Sequence, residues 1–123
     1  KLSPADSTTY YFGSLPETLA PSTTAATARM YIPRTGTIKS ISSYVYVAGT
    51  LGTTENVATS LVVNNTTTVS LGNQQYNTAQ NFTNWTGLTQ SVTAGDYIQI
   101  KIVCPAWATN PTNVYWQTTV YIE

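Results

Sequence analysis

Short runs of β-favouring residues, each closed by Gly, Pro or Asn, recur along the whole chain about every ten residues, and no stretch repeats apolar positions at the helical period. The clearest run is Asp96 to Cys104, in which Ile98, Ile100, Ile102 and Cys104 alternate with Tyr97, Gln99, Lys101 and Val103. Alternation with period two gives a strand one apolar face and one outward face. Thr37 to Val47 and Val114 to Ile122 read the same way, and Asn56 to Val63 sets Val57, Thr59, Leu61 and Val63 on one face. Thr8 to Phe12, Ala28 to Ile32, Thr66 to Leu71 and Asn81 to Leu88 are further strands, and Gln90 to Val92 leads into a turn. Arg34-Thr35-Gly36, Asn64-Asn65, Thr93-Ala94-Gly95 and Asn110-Pro111 carry turn residues. Residues 14–25, Gly72 to Asn77 and Pro105 to Asn113 read as loops.

About eight to ten strands without a crossover helix predict an all-β, antiparallel β-sandwich. The chain is read as one domain over residues 1–123, with an extended N-terminal strand and loop at 1–27 and the main sandwich at 28–123. It opens on Lys1 rather than Met and is expected to be a piece of something longer.

The outward faces are neutral. Only 8% of residues are charged, against about 25% in an average soluble domain. Ser, Thr, Asn and Gln fill 49 of the 123 positions, and 24 of those are Thr, a β-branched residue that suits a half-exposed pleated surface. Five Lys and Arg, without a basic run, exclude nucleic acid as a partner, because displacing counterions takes several cations on one face. No apolar stretch is long enough to predict membrane insertion.

Chemistry is constrained mostly by what is missing. There is no His, the commonest general base and metal ligand. The carboxylates Asp6, Glu17, Glu55, Asp96 and Glu123 are far apart in sequence. No catalytic residue, metal site or cofactor is therefore assigned, and the chain is read as a non-enzyme. Cys104 alternates with isoleucines and reads as a buried structural thiol.

Val92-Thr93-Ala94-Gly95-Asp96-Tyr97-Ile98-Gln99-Ile100 resembles the turn-and-strand signature of C1q and tumour necrosis factor jelly rolls: an apolar residue, a short spacer, Gly-Asp, then alternating apolar residues. The long early strand and the strand ending at the C-terminus suit the same layout, so the resemblance spans most of residues 33–123. The neutral, Thr- and Asn-rich composition is similar to the tip domains of bacteriophage fibres and bacterial surface filaments that use this fold. The chain departs from C1q in lacking a collagen-like stretch, and no C1q ligand is carried over. The resemblance implies a jelly roll, a homotrimer, a place on a virion or extracellular surface, and attachment to a host cell-surface glycan or protein. The alternative is a monomeric carbohydrate-binding module of a secreted enzyme.

Two sets of residues follow as candidates. The three long strands, expected to share one sheet, each oppose an aliphatic face to one carrying Tyr44 and Tyr46, Tyr97, or Tyr115, Gln117 and Tyr121. Tyr is at home on a half-exposed strand, and it is also enriched at subunit contacts; these six residues are the expected trimer interface. Asn73, Gln75, Tyr76, Asn84, Trp85 and Trp107 cluster in loops or beside them and are the expected glycan or receptor loops, with plugging of the sandwich ends as the other role for the tryptophans. Asn64, Asn65, Asn81 and Asn84 also open Asn-x-Thr sequons, about as many as this composition yields by chance.

Overall fold

The computed structural model describes residues 1–13 and 21–123. Its strands are β1 (Thr9–Phe12), β2 (Met30–Tyr31), β3 (Gly36–Val47), β4 (Val57–Val63), β5 (Thr67–Gln74), β6 (Gln80–Val92), β7 (Tyr97–Val103) and β8 (Val114–Ile122), with one 3-10 turn at Ala25–Ala28. They form two antiparallel sheets. One has the order β1-β7-β4-β5, with β2 also on β7; the other is β6-β3-β8. Outside the named strands, Leu2 bridges Val114 and Tyr11 bridges Ser22, both antiparallel.

The core lies between the sheets, where Ile38, Ile41 and Val45 of β3 meet Leu61 of β4 and Ile98 and Ile100 of β7, all at most 1% exposed. Val57, Thr59, Leu61 and Val63 are likewise buried, as their alternation predicts. Asn64 and Asn65 form the β4–β5 turn at φ 52° and 55°, the left-handed region that Asn tolerates better than most residues. Ser43 of β3 reaches across the core and donates to the Gln74 side-chain carbonyl of β5 at 3.2 Å.

Three expectations need correction. Ala28 to Ile32 is not one strand: residues 25–28 turn, with Thr27 bonding Thr24 O through both its amide and its hydroxyl, and only Met30–Tyr31 pair with β7. The segment folds over the outer face of β7 because Gln99 lies there fully buried, its amide donating to Ala25 O. The strand starting near Thr66 does not stop at Leu71, and residues 72–74 are not loop. A bulge opposite Thr59 and Ser60 carries β5 on to Gln74 through Gly72, at φ +125°, where a Cβ would come to 3.5 Å from Trp85 Nε1. Residues 80–92 are a single strand, whose register against β3 shifts between Ile38 and Ser40. Of the loop read at 14–25, residues 14–20 lie outside the described residues.

Ile100→Ala should cost on the order of 2–5 kcal/mol in urea unfolding, as loss of a fully buried branched side chain does. A change under about half a kcal/mol would mean that β7 is turned the other way.

Candidate functional site

Sheet geometry gathers aromatic side chains on the outer face of β6-β3-β8. Ile41, Val45 and Val47 of β3 are buried, so the alternate residues face outward. Register then sets rows across three strands. Tyr46 lies between Gln80 and Tyr115, Tyr44 between Phe82 and Gln117, Ser42 between Asn84 and Thr119, and Ser40 between Thr86 and Tyr121. The Tyr46 and Tyr115 rings sit 6.2 Å apart, tilted by 35°. Phe82 is 67% exposed and Tyr121 54%. Ser42 donates to Asn84 Oδ1 at 3.0 Å in the middle of the face.

Within these three strands charge lies at one end, at Lys39 and the adjoining Glu123. Tyr121 donates to Glu123 Oε1 at 3.2 Å, and Lys39 approaches the other Glu123 oxygen at 3.9 Å. The hydrogen bond to Glu123, together with that carboxylate's charge, raises the Tyr121 pKa. The remaining rows are aromatic or neutral.

Of the expected interface residues, Tyr44, Tyr46, Tyr115, Gln117 and Tyr121 therefore share one face. Tyr97 does not. Its strand, β7, belongs to the other sheet, bonded to β1, β2 and β4 rather than to β3 or β8. The expectation that the three long strands are neighbours holds for β3 and β8 and fails for β7, because the other edge of β3 is taken by β6. Phe82 was missed, although the alternation of Phe82, Asn84 and Thr86 against Thr83 and Trp85 along β6 carries its direction.

The six loop candidates do not converge. Tyr76 is fully buried and Trp107 is 7% exposed. Their rings stack at 5.9 Å, and Trp116 closes on Tyr76 edge-on at 6.1 Å while donating its Nε1–H to the Tyr76 hydroxyl at 2.9 Å. Trp85 is half-buried against the core, as the partner of Ile41. Gln75 bonds Thr54 O and Asn56 Oδ1. Asn73 and Asn84 are exposed, but on the outer faces of different sheets. Tyr76 and Trp107 thus plug the sandwich, and Trp85 packs part of its ring against the core.

Trp107 is held by its loop as well as by its ring. Its N–H donates to Asp6 Oδ1 at 3.1 Å, that of Ala108 to Glu55 Oε1 at 3.0 Å, and that of Thr109 to Thr53 Oγ1 at 3.2 Å. The Thr53 side chain and backbone N–H groups hold the Glu55 carboxyl below its ordinary pKa. Asp96 is lowered in the same way by Asn64, which donates at 2.8 Å, and by the Thr93 N–H at 2.7 Å. Burial pushes the Cys104 thiol up to about 12, which keeps it protonated and inert. Among the described residues no group of three or more His, Cys, Asp or Glu comes together to hold a metal. Among the same residues no helix is long and apolar enough to cross a membrane.

No family model, no curated protein and no solved structure matches the chain.

Trp107→Ala should cost about 3–5 kcal/mol in chemical denaturation, as removal of a buried aromatic does; retained stability would return Trp107 to the surface. Glu55 and Asp96 have folded pKa values below their unfolded ones. The stability they contribute is present above about pH 4 and lost as pH falls through the folded values. Melting temperature followed from pH 7 to pH 2 should fall below about pH 4, and Glu55→Gln and Asp96→Asn should each flatten that fall.

Proposed function

We propose that this chain is a non-catalytic jelly-roll domain that associates with two copies of itself through the outer face of β6-β3-β8, as the tip of a viral fibre or surface filament that attaches to a host surface. The observation that carries the reading is the exposed aromatic group Tyr46, Phe82, Tyr115 and Tyr121, with half-buried Tyr44 among them, on one sheet face whose strands hold a single charged residue, Lys39. Soluble monomers rarely leave a contiguous apolar patch of several hundred Å² in water. Aromatic residues with few charges are the composition of an interface centre. Closed cyclic symmetry covers such a patch on every subunit at once. The number three comes from the resemblance to C1q and tumour necrosis factor domains.

The jelly-roll reading is supported by the pairing itself. Counted outward from the β4–β5 turn, β4 with β5, β3 with β6, β1 and β2 with β7, and Leu2 with Val114 are successive antiparallel rungs of one long hairpin. The remaining pairs, β4 with β7 and β3 with β8, are those made when such a hairpin rolls into two sheets. The alternative of a monomeric module with sugar-stacking loops loses its support with the burial of Tyr76 and Trp107.

Sedimentation at micromolar concentration should give the mass of three chains. Phe82→Glu combined with Tyr115→Glu places like charges across the contact and should give monomers or aggregate. A monomeric native chain, or a variant still trimeric with an unchanged melting temperature, defeats the proposal.

A further inference from the structure

The opposite outer face, on the sheet containing β7, is covered at its centre and exposed along β5. Val62 and Gln99 are buried there, and Gln99 bonds the Ala25 carbonyl of the segment that crosses it. Where that segment ends, the chain delivers Arg29 and Tyr31 beside Tyr97. Tyr31 and Tyr97 are register partners, so their rings rise from the same side, 5.7 Å apart and tilted by 57°. Arg29 lies with its guanidinium carbon 4.3 Å from the centre of the Tyr97 ring, with Tyr31 beside that ring. The Tyr97 ring thus holds one planar cation in place, and its fork of N–H groups is suited to a carboxylate.

That cation has no acidic counterpart among the described residues, where the ion pair is Lys39 with Glu123. Asp96, on the adjoining turn, is occupied by the Thr93 N–H and the Asn64 amide. Tyr31 is 64% exposed, and its ring takes no part in the core cluster. Asn65 and Thr66, both exposed, sit on the neighbouring turn, whose Asn64 N–H donates to Tyr97 O.

We propose that Arg29, Tyr31 and Tyr97 form a binding platform for an acidic saccharide, with the sugar carboxylate on the guanidinium and an apolar ring face on Tyr31. A single fixed cation beside one open ring fits a single negative charge attached to a compact apolar face. A polyanion such as nucleic acid would require a row of cations. A bare anion would make no use of the exposed ring. The proposal names a ligand class for the attachment read above and rests on that reading only for the kind of surface concerned.

The test titrates N-acetylneuraminic acid, glucose, acetate and tetraglutamate into the full chain, followed by the aromatic NMR resonances of the tyrosines. The acidic sugar should bind in the millimolar range and shift Tyr31 and Tyr97, with the other three weaker by roughly tenfold or more. Arg29→Gln and Tyr31→Ala should each weaken the acidic sugar by roughly tenfold or more, with melting temperature and sedimenting mass unchanged. Three results overturn the proposal: no binding of the acidic sugar, acetate or tetraglutamate binding as tightly as the sugar, or full affinity in Arg29→Gln. Sedimentation of the same samples separates the two readings. Trimers that ignore the sugar defeat this platform alone, and monomers that bind it defeat the trimer alone.

Discussion

Ile98, Ile100 and Ile102 are at most 1% exposed on a strand that is bonded along both edges, to β4 on one side and to β1 and β2 on the other. A slip of one residue in β7 would turn Gln99 and Lys101 into the core and three isoleucines out of it, so its register is not negotiable. Both flanking elements inherit that register. Leu61 must face Ile100 across β4, and Tyr31 must stand beside Tyr97 on β2. The position of the 25–28 turn over Gln99 follows as well, because a buried amide needs a partner and Ala25 O is the one at hand.

A core specified so tightly by alternation leaves the outward faces free to vary, and here they are almost uncharged. Charges on sheet surfaces and edges normally discourage association between chains. The strands β6, β3 and β8 carry charge only at Lys39, beside Glu123, so little along them repels a second copy. The same neutrality makes the three clusters of charge-assisted hydrogen bonds conspicuous. Asp6, Glu55 and Asp96 are spent on backbone N–H groups of loops rather than on cations, which orders the loops at little cost in long flexible side chains.

What was legible in the sequence was whatever period two and turn chemistry control. The buried faces of β4, β7 and β8 and the Asn64-Asn65 turn all follow from residues within a few positions of one another. Pairing between distant strands is a different quantity. Tyr97 alternates with aliphatic residues as Tyr44 and Tyr115 do, yet alternation says which way a side chain points relative to its own strand and nothing about which sheet holds it. Trp107 and Tyr76 misled for a related reason. A polar loop sequence suggests exposure, while the aromatic within it can turn inward when Trp116 and Phe12 already line the end of the core. Gly72 ended the strand on paper, but a positive φ inside a ladder produced a bulge rather than a stop.

The two proposed surfaces are related by the architecture. In a two-layer fold the outer faces of the sheets point in opposite directions, so residues that project from β6-β3-β8 cannot share a surface with those that project from β2 and β7. A ring closed through the Tyr46, Phe82 and Tyr115 face would turn that sheet toward the symmetry axis and present Arg29, Tyr31 and Tyr97 at the periphery of each subunit. The segment crossing Gln99 has a second consequence in that arrangement: it covers the middle of β7 and leaves the aromatic corner beside it open. Association would then multiply the peripheral sites without obstructing them. Sites of millimolar affinity held on one rigid body gain strength when several engage a surface together, because each later contact is intramolecular. In the proposed arrangement weak single-site recognition and self-association would serve one another, since a lone copy of such a corner would hold a cell surface only briefly.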